Sequence, residues 1–260
     1  MPNLPFLIKR IRNQIPVNHL IIVDGHSTDG TLQYAKRESD ITLTQPNTGV
    51  GEARQIALEN IETQIYASFD SDIHLPPEWY KTVSPNMKEN VAVTSTPVIF
   101  GKPGFKPLQK MYEFSYFQRM NEYPTLANSL QNTEIIRRLG GFNPKLLSGE
   151  DTDLMKRVKK SKYQWVIERR ISVPHPRTIT EDLEHVKWWG NYFLVTGLPV
   201  KQVIIKFLKS FREGLILAYR AHPALLWYKP MRDLAILKAY LEGCKNVSNR
   251  FKEYHVTEIE

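Results

Sequence analysis

The sequence predicts an α/β fold: a mostly parallel central sheet flanked by helices, followed by a helical C-terminal extension. Short apolar runs alternate with helix-periodic stretches between residues 4 and 72, the pattern of strand–helix–strand units. Two of those runs end in an aspartate, Asp24 and Asp70, at the strand ends where open parallel sheets bind ligands. From residue 178 onward the pattern is helical, with breaks near Pro199 and Pro223.

Leu4, Leu7, Ile8, Ile11 and Ile15 recur at helical spacing with Lys9, Arg10 and Arg12 between them, so residues 4–14 read as a helix with Asn3 as its cap. Residues 19–23 form a short apolar run closed by Asp24-Gly25, which suits a buried strand. Helices over 28–37 and 49–61 and strands over 41–43 and 65–69 follow. The pattern changes after residue 76. Pro76-Pro77 opens a helix, 91–99 reads as one strand, and 107–121 as an aromatic-rich helix. Helices over 132–139 and 151–160 are separated by Gly140-Gly141-Phe142, and strands follow over 164–167 and 171–173. No internal repeat is visible.

The chain has 260 residues, 42% of them apolar and 24% charged, enough for a buried core in one large domain or two small ones. This composition excludes wholesale disorder and collagen-like or low-complexity classes. A single cysteine, Cys244, excludes a disulfide framework and a cysteine-rich zinc site, and is compatible with a reducing compartment. A net charge of +8 favours anionic partners such as nucleic acid, nucleotide phosphates or an anionic membrane surface. No stretch reaches the ~18 uninterrupted apolar residues of a spanning helix, and the N-terminus lacks the charged-then-apolar order of a secretion signal. The expectation is a soluble or peripherally attached cytoplasmic protein.

Four segments carry chemistry. In Val23-Asp24-Gly25-His26-Ser27-Thr28-Asp29-Gly30-Thr31 a strand ends in a carboxylate, and a polar turn leads into a helix. Asp24 suits a base or ribose donor and the helix start suits phosphate; equally, Ser27 or Asp29 caps the helix. In Asp70-Ser71-Asp72 two acids bracket one residue after an apolar strand, a spacing that lets a hard divalent cation bridge them and phosphate oxygens, although Asp-rich turns are common. His74, two residues on, is either a further ligand or a surface histidine, the second being the expectation. In Gly149-Glu150-Asp151-Thr152-Asp153-Leu154 acids open a helix; they complement its dipole, or one is a general base toward an attacking hydroxyl. His175 between two prolines either completes an Asp/His metal site or is incidental to a rigid turn, which for the segment alone is the expectation.

In this order and spacing the four segments resemble an inverting family 2 glycosyltransferase of the Rossmann-like type A nucleotide-diphospho-sugar fold. The matching stretch runs from Asn3 to about Asn191. It includes VDGHSTDGT, NTGVGEARQIAL, FDSDIHLPPEW and LGGFNPKLLSGEDTDLMKRV. The resemblance implies a catalytic domain over 1–197, with a nucleotide-sugar half (1–75) and an acceptor half (76–197), followed by a basic helical region over 198–260. It implies donor contacts from Asp24, Arg54, Asp70, Ser71 and Asp72, with Asp24 on the nucleobase and Arg54 on base or diphosphate. Mn²⁺ or Mg²⁺ would be held by Asp72, Asp70 and His175. Asp151 would be the catalytic base and Glu150 a support of the acceptor site. Basic groups, Lys187 among them, would offset leaving-group charge. The donor expected is a UDP- or GDP-sugar.

Three departures stand out. The family opens with an apolar strand ahead of the Asn3 position that is absent here; the alternatives are a truncated start, another segment filling the gap, or a smaller sheet. Gln55 and His26 replace a common Asn and Gly. A Gln-x-x-Arg-Trp motif and spanning helices are absent, which favours transfer of one sugar over processive synthesis.

The C-terminal region carries an apolar stripe (Val200, Val203, Ile204, Phe207, Leu208, Phe211, Leu215, Ile216) flanked by Lys201, Lys206, Lys209 and Arg212. Such a helix lies on a membrane through residues 199–232, with Trp227, Tyr228, Lys229 and Arg232 as anchors, or it packs on its own domain. A membrane surface fits a glycan or polyprenyl-linked acceptor. Two further functions compete. One is a non-catalytic nucleotide-sugar-binding or membrane-associated descendant, favoured by the missing strand and opposed by Asp70, Asp72 and Asp151. The other is nucleic-acid binding, which lacks any recognisable motif and is not expected.

Overall fold

The computed structural model describes residues 3–46, 49–100, 110 and 125–256. The chain divides into two compact units, one ending at Pro176 and a helical one beginning at Arg177. The sequence reading put this boundary at 197. The helix over Ile179–Val195 belongs with the later helices because Gly190 lets a second helix come close: a Cβ there would lie 2.7 Å from the Tyr240 nitrogen and 2.8 Å from the Ile236 carbonyl.

The first unit is α/β. In chain order it contains α1 (Leu4–Gln14), β1 (Ile21–Asp24), α2 (Thr31–Glu38), β2 (Ile41–Thr44), α3 (Val50–Glu59), β3 (Ile65–Phe69) and α4 (Trp79–Val83). A 3₁₀ turn (Ser84–Asn86), β4 (Val91–Ser95), β5 (Val98–Phe100), β6 (Asn128–Asn132), α5 (Thr133–Arg138), α6 (Glu150–Lys159), β7 (Gln164–Ile167) and β8 (Val173–His175) complete it. β1 pairs with β2 in parallel, and β5 with β8 in parallel. The remaining strands form a sheet in the order β3-β6-β4-β7, in which β4 and β7 are parallel and β6 runs against both its neighbours. Parallel pairings thus prevail. Among the described residues no strand joins the β1/β2 pair to the four-stranded sheet.

Several local readings differ from the structure; the strand expected over 171–173 lies at Val173–His175. The strand expected over 91–99 is two strands, because Pro97 has no N–H for a ladder and separates β4 from β5. β6 was invisible: Asn-Ser-Leu-Gln-Asn has neither apolar alternation nor β-branched residues, yet all five residues are buried between β3 and β4. Asn3 precedes α1 but does not cap it with its side chain; its Oδ1 lies 3.3 Å from His74 Nε2. The helix expected over 107–121 lies outside the described residues apart from Lys110.

Two apolar clusters position the site. One gathers Leu7 and Ile11 of α1, Ile73 and Leu75 after β3, Trp79 and Val83 of α4, Ala127 and Leu130, and Val173 of β8. The other joins Leu58 of α3, Ala92 and Val93 of β4, Ile135 and Ile136 of α5, Phe142, and Leu154 and Val158 of α6. Ile73 and Leu75 are buried in the first cluster, while Asp72 in the turn after β3 stays half-exposed and His74 is exposed.

The second unit contains α7 (Ile179–Val195), α8 (Val200–Arg220) and α9 (Leu225–Val256). α7 opens with a full capping box, in which Thr178 and Glu181 satisfy each other's backbone N–H groups. Val203, Leu237 and Tyr240 form one buried cluster in it, with Phe193, Leu194, Leu198 and Phe207 packed around them. Inside it the buried Asp182 carboxylate accepts from the Tyr228 hydroxyl and lies 3.3 Å from Arg232 Nε. Among the described residues no helix is long and apolar enough to cross a membrane.

Candidate active site

Two groups of predicted residues come together in the first unit. The first is Asp70, Asp72 and His175, each offering one ligand atom, with all three atoms within 4.8 Å of one another. Asp70 sits at the end of β3, its backbone N–H donating 2.9 Å to the Ala127 carbonyl. Asp72 Oδ2 lies 2.8 Å from Nε2 of His175, whose side chain is only 1% exposed. The two segments are tied together by the His74 N–H, which donates 2.8 Å to the Pro174 carbonyl. Two carboxylates and one imidazole suit a divalent ion such as Mn²⁺, which takes both oxygen and nitrogen ligands, while Mg²⁺ is served chiefly by oxygen. Ser71 occupies the exposed turn between the two acids. His74 is not part of the group: its ring is exposed and packs edge-on against Phe6 at 5.8 Å.

The second group is built on Arg54 of α3. Its Nη2 donates 2.9 Å to Asp70 Oδ1, its Nε donates 3.0 Å to Glu150 Oε1, and its Nη1 donates to the Ser68 hydroxyl. One buried guanidinium thus ties α3, the end of β3 and the start of α6. Burial disfavours its charge, but Asp70 and then Glu150 more than compensate, and its pKa is raised. Beside Glu150 stands Asp151. Burial, and then the Glu150 carboxylate, push Asp151 up to about 8, against hydrogen bonds from the Thr152 N–H (2.6 Å) and hydroxyl (3.2 Å).

The backbone explains how α3 and α6 meet. Gly51 lies so close to the loop before α6 that a Cβ would stand 2.3 Å from the Asn143 carbonyl and 2.8 Å from that of Leu146. The Val50 and Gly51 N–H groups donate to the Leu147 and Leu146 carbonyls at 3.2 and 3.0 Å. Gln55, the departure from the family's Asn, accepts 2.8 Å from the Phe142 N–H in the Gly-Gly-Phe turn, where Gly141 has φ +65°.

Asp24 belongs to neither group. It ends β1, is 3% exposed, and accepts 2.9 Å from the Ser27 N–H. Asp29 accepts 3.1 Å from the N–H and 2.5 Å from the hydroxyl of Thr31, and these bonds, the hydroxyl's first, bring it down to about 2. Lys187 lies in the helical unit, where it donates 2.7 Å to Glu184 one turn back.

Ser68 escaped the sequence reading. The period of two in β3 puts it on the same face as Asp70, and that was the available signal. The buried polar residues of β6 gave none. Asn128 of β6 accepts from Trp79 Nε1 (3.1 Å) and from the Thr96 hydroxyl, and Tyr66 donates 2.7 Å to Gln131.

The acidic strand end, the Asp70–Asp72–His175 cluster and the Glu150–Asp151 pair thus lie together in one α/β unit in which parallel strand pairs prevail. The sequence profile described as glycosyl transferase family 2 matches residues 2–142. The chain therefore belongs to glycosyl transferase family 2 and is a glycosyltransferase. No curated protein matches it significantly. Solved structures similar to it include the mannosyltransferase PcManGT from Pyrobaculum calidifontis in complex with GDP-Man and Mn²⁺, at 14% identity and TM-score 0.57, covering 100% of this chain and 77% of that one. Glucosyl-3-phosphoglycerate synthase from Mycobacterium tuberculosis, in complex with phosphoglyceric acid, matches at 16% identity and TM-score 0.52 over 76% of each chain. S. aureus TarS 1–349 matches at 13% identity and TM-score 0.51, covering 94% of this chain and 88% of that one. At these identities the structures share the fold.

Proposed function

We propose that the chain moves one sugar, with inversion, from a UDP- or GDP-sugar to a hydroxyl of a glycan or polyprenyl-linked acceptor at the cytoplasmic membrane face. The observation that carries this reading is the convergence of Asp70, Asp72 and His175 beside Arg54 and the Glu150–Asp151 pair. Asp70, Asp72 and His175 hold Mn²⁺ or Mg²⁺ in this reading; the ion supplies positive charge against the departing nucleoside diphosphate. Mn²⁺ appears with GDP-Man in the mannosyltransferase complex and with UDP-Glc in a complex of the glucosyl-3-phosphoglycerate synthase.

Asp24 accepts from the nucleobase and Ser71 contacts the donor. Arg54 fixes Asp70 for the donor and Glu150 for the acceptor. Asp151 takes the proton of the attacking hydroxyl as its oxygen bonds to the anomeric carbon and the bond to the diphosphate oxygen breaks. A carboxylate whose pKa is raised is a stronger base than a free one once ionised, which supports that role.

Melting with UDP-, GDP- and dTDP-sugars, with and without Mn²⁺, tests the donor. One nucleotide is expected to raise Tm only together with metal. Asp72→Ala abolishes that shift. Asp151→Asn keeps it and stops transfer; normal transfer by Asp151→Asn would remove the base from the mechanism.

A further inference from the structure

Helix α8 uses a narrow face to pack. Val203, Ser210, Gly214 and Leu217 are buried, and α9 comes so near that a Cβ on Gly214 would lie 3.0 Å from the Leu226 carbonyl and 3.1 Å from that of Leu225. A different face carries Val200, Ile204, Leu208, Phe211, Leu215 and Tyr219, spaced by threes and fours. All six are at least 40% exposed, with Leu208 at 59%, Leu215 at 61% and Tyr219 at 91%. This apolar stripe runs the length of the helix, roughly 30 Å. Lys201, Lys209 and Arg212 line its solvent edge and make no ion pair among the described residues. Exposed Trp227 and Met231 at the start of α9 add to the apolar surface of this unit.

We infer that the α8 stripe docks on an anionic lipid bilayer, with the helix lying in the plane of the interface. This extends the reading of a membrane-borne acceptor, on which it rests for its biological sense, although its test involves no sugar transfer. Charge selects the occupant. α8 carries Lys201, Lys206, Lys209, Arg212 and Arg220 against a single acid, Glu213, which is tied to Lys229 at 2.9 Å. A second copy meeting this face would bring like charges together, whereas anionic headgroups neutralise them. Apolar side chains beside a basic edge are the features of an interfacial helix, and the exposed Trp227 is a residue of membrane–water boundaries.

The test sediments the full chain with phosphatidylcholine vesicles, with and without phosphatidylserine. Partitioning is expected to be at least about tenfold stronger on the anionic vesicles and to weaken as salt rises. Leu208→Glu/Phe211→Glu should lower it by at least about tenfold. Lys201→Glu/Lys209→Glu/Arg212→Glu, which leaves the packed face alone, should bring anionic binding down to the neutral level. Both variants should keep the metal-dependent donor shift in Tm. The inference is overturned if the wild-type chain fails to sediment with anionic vesicles, or if neither variant weakens sedimentation. It is also overturned if ultracentrifugation shows a dimer that Leu208→Glu/Phe211→Glu dissolves. Lost vesicle binding with intact transfer to a soluble acceptor rejects the docking alone; intact binding with no donor shift rejects the transferase reading alone.

Discussion

Arg54 has partners on three segments, and its planar fork meets them from one buried position. Arg54→Ala leaves Glu150 buried without its counter-charge and is expected to cost about 3–5 kcal/mol in urea unfolding. A loss below about 1 kcal/mol, the range of exposed ion pairs, would mean that the cluster does not hold the unit together. Asp151 gives a second residue-scale prediction. With the carboxyl raised to about 8, the carboxylate form that can accept a proton becomes more populated as pH rises through that value. The rate at subsaturating donor should therefore climb about tenfold per pH unit on the acid side and level off above about 8. Because Asp151 and Glu150 titrate as neighbours, that limb belongs to the pair. A profile flat from pH 6 to 9, at about the resolution of a factor of two, would contradict it.

At the scale of elements, the site depends on how closely α3 meets the loop before α6. Gly51 has no room for a side chain, and the obstructing atoms are backbone carbonyls that cannot rotate away. Gly51→Ala should move α3, lower stability by about 1–3 kcal/mol, and weaken donor binding through Arg54. Unchanged melting and affinity would show that the loop yields freely. In the helical unit, Thr178→Ala removes half of a reciprocal cap and is expected to cost about 1 kcal/mol, read as a lower Tm with donor binding intact.

At the scale of the molecule, every residue proposed to bind donor and metal lies before Arg177, and the apolar stripe lies after it. Hydrogen exchange should reflect that division. Donor with Mn²⁺ is expected to protect the turn around Asp70–Asp72, the start of α6 and β8, leaving 200–220 unchanged. Anionic vesicles are expected to do the reverse. Protection spread evenly over both units with donor alone would show that the site is not confined to the first.

The sequence by itself determined the α/β class, the family resemblance, most helix positions and several of the residues that come together, namely Arg54, Asp70, Asp72, Glu150 and His175. These follow from local causes. Apolar period fixes which face of an element is buried, prolines and glycines mark its ends, and acids at strand ends are read directly. Pro97 was on view as well, but a long apolar run concealed that it splits one strand in two. β6 was beyond reach because its residues are polar and its strand character comes from burial between β3 and β4. Only the tertiary structure brought Asp72 to His175, 103 positions apart in the chain, and set Arg54 between Asp70 and Glu150. It also assigned α7 to the helical unit and showed that the apolar stripe of α8 is two faces, one packed and one exposed. The physical reason is common to all of these. Which neighbour fills a face depends on the distant segment that arrives there, and no local pattern encodes that arrival.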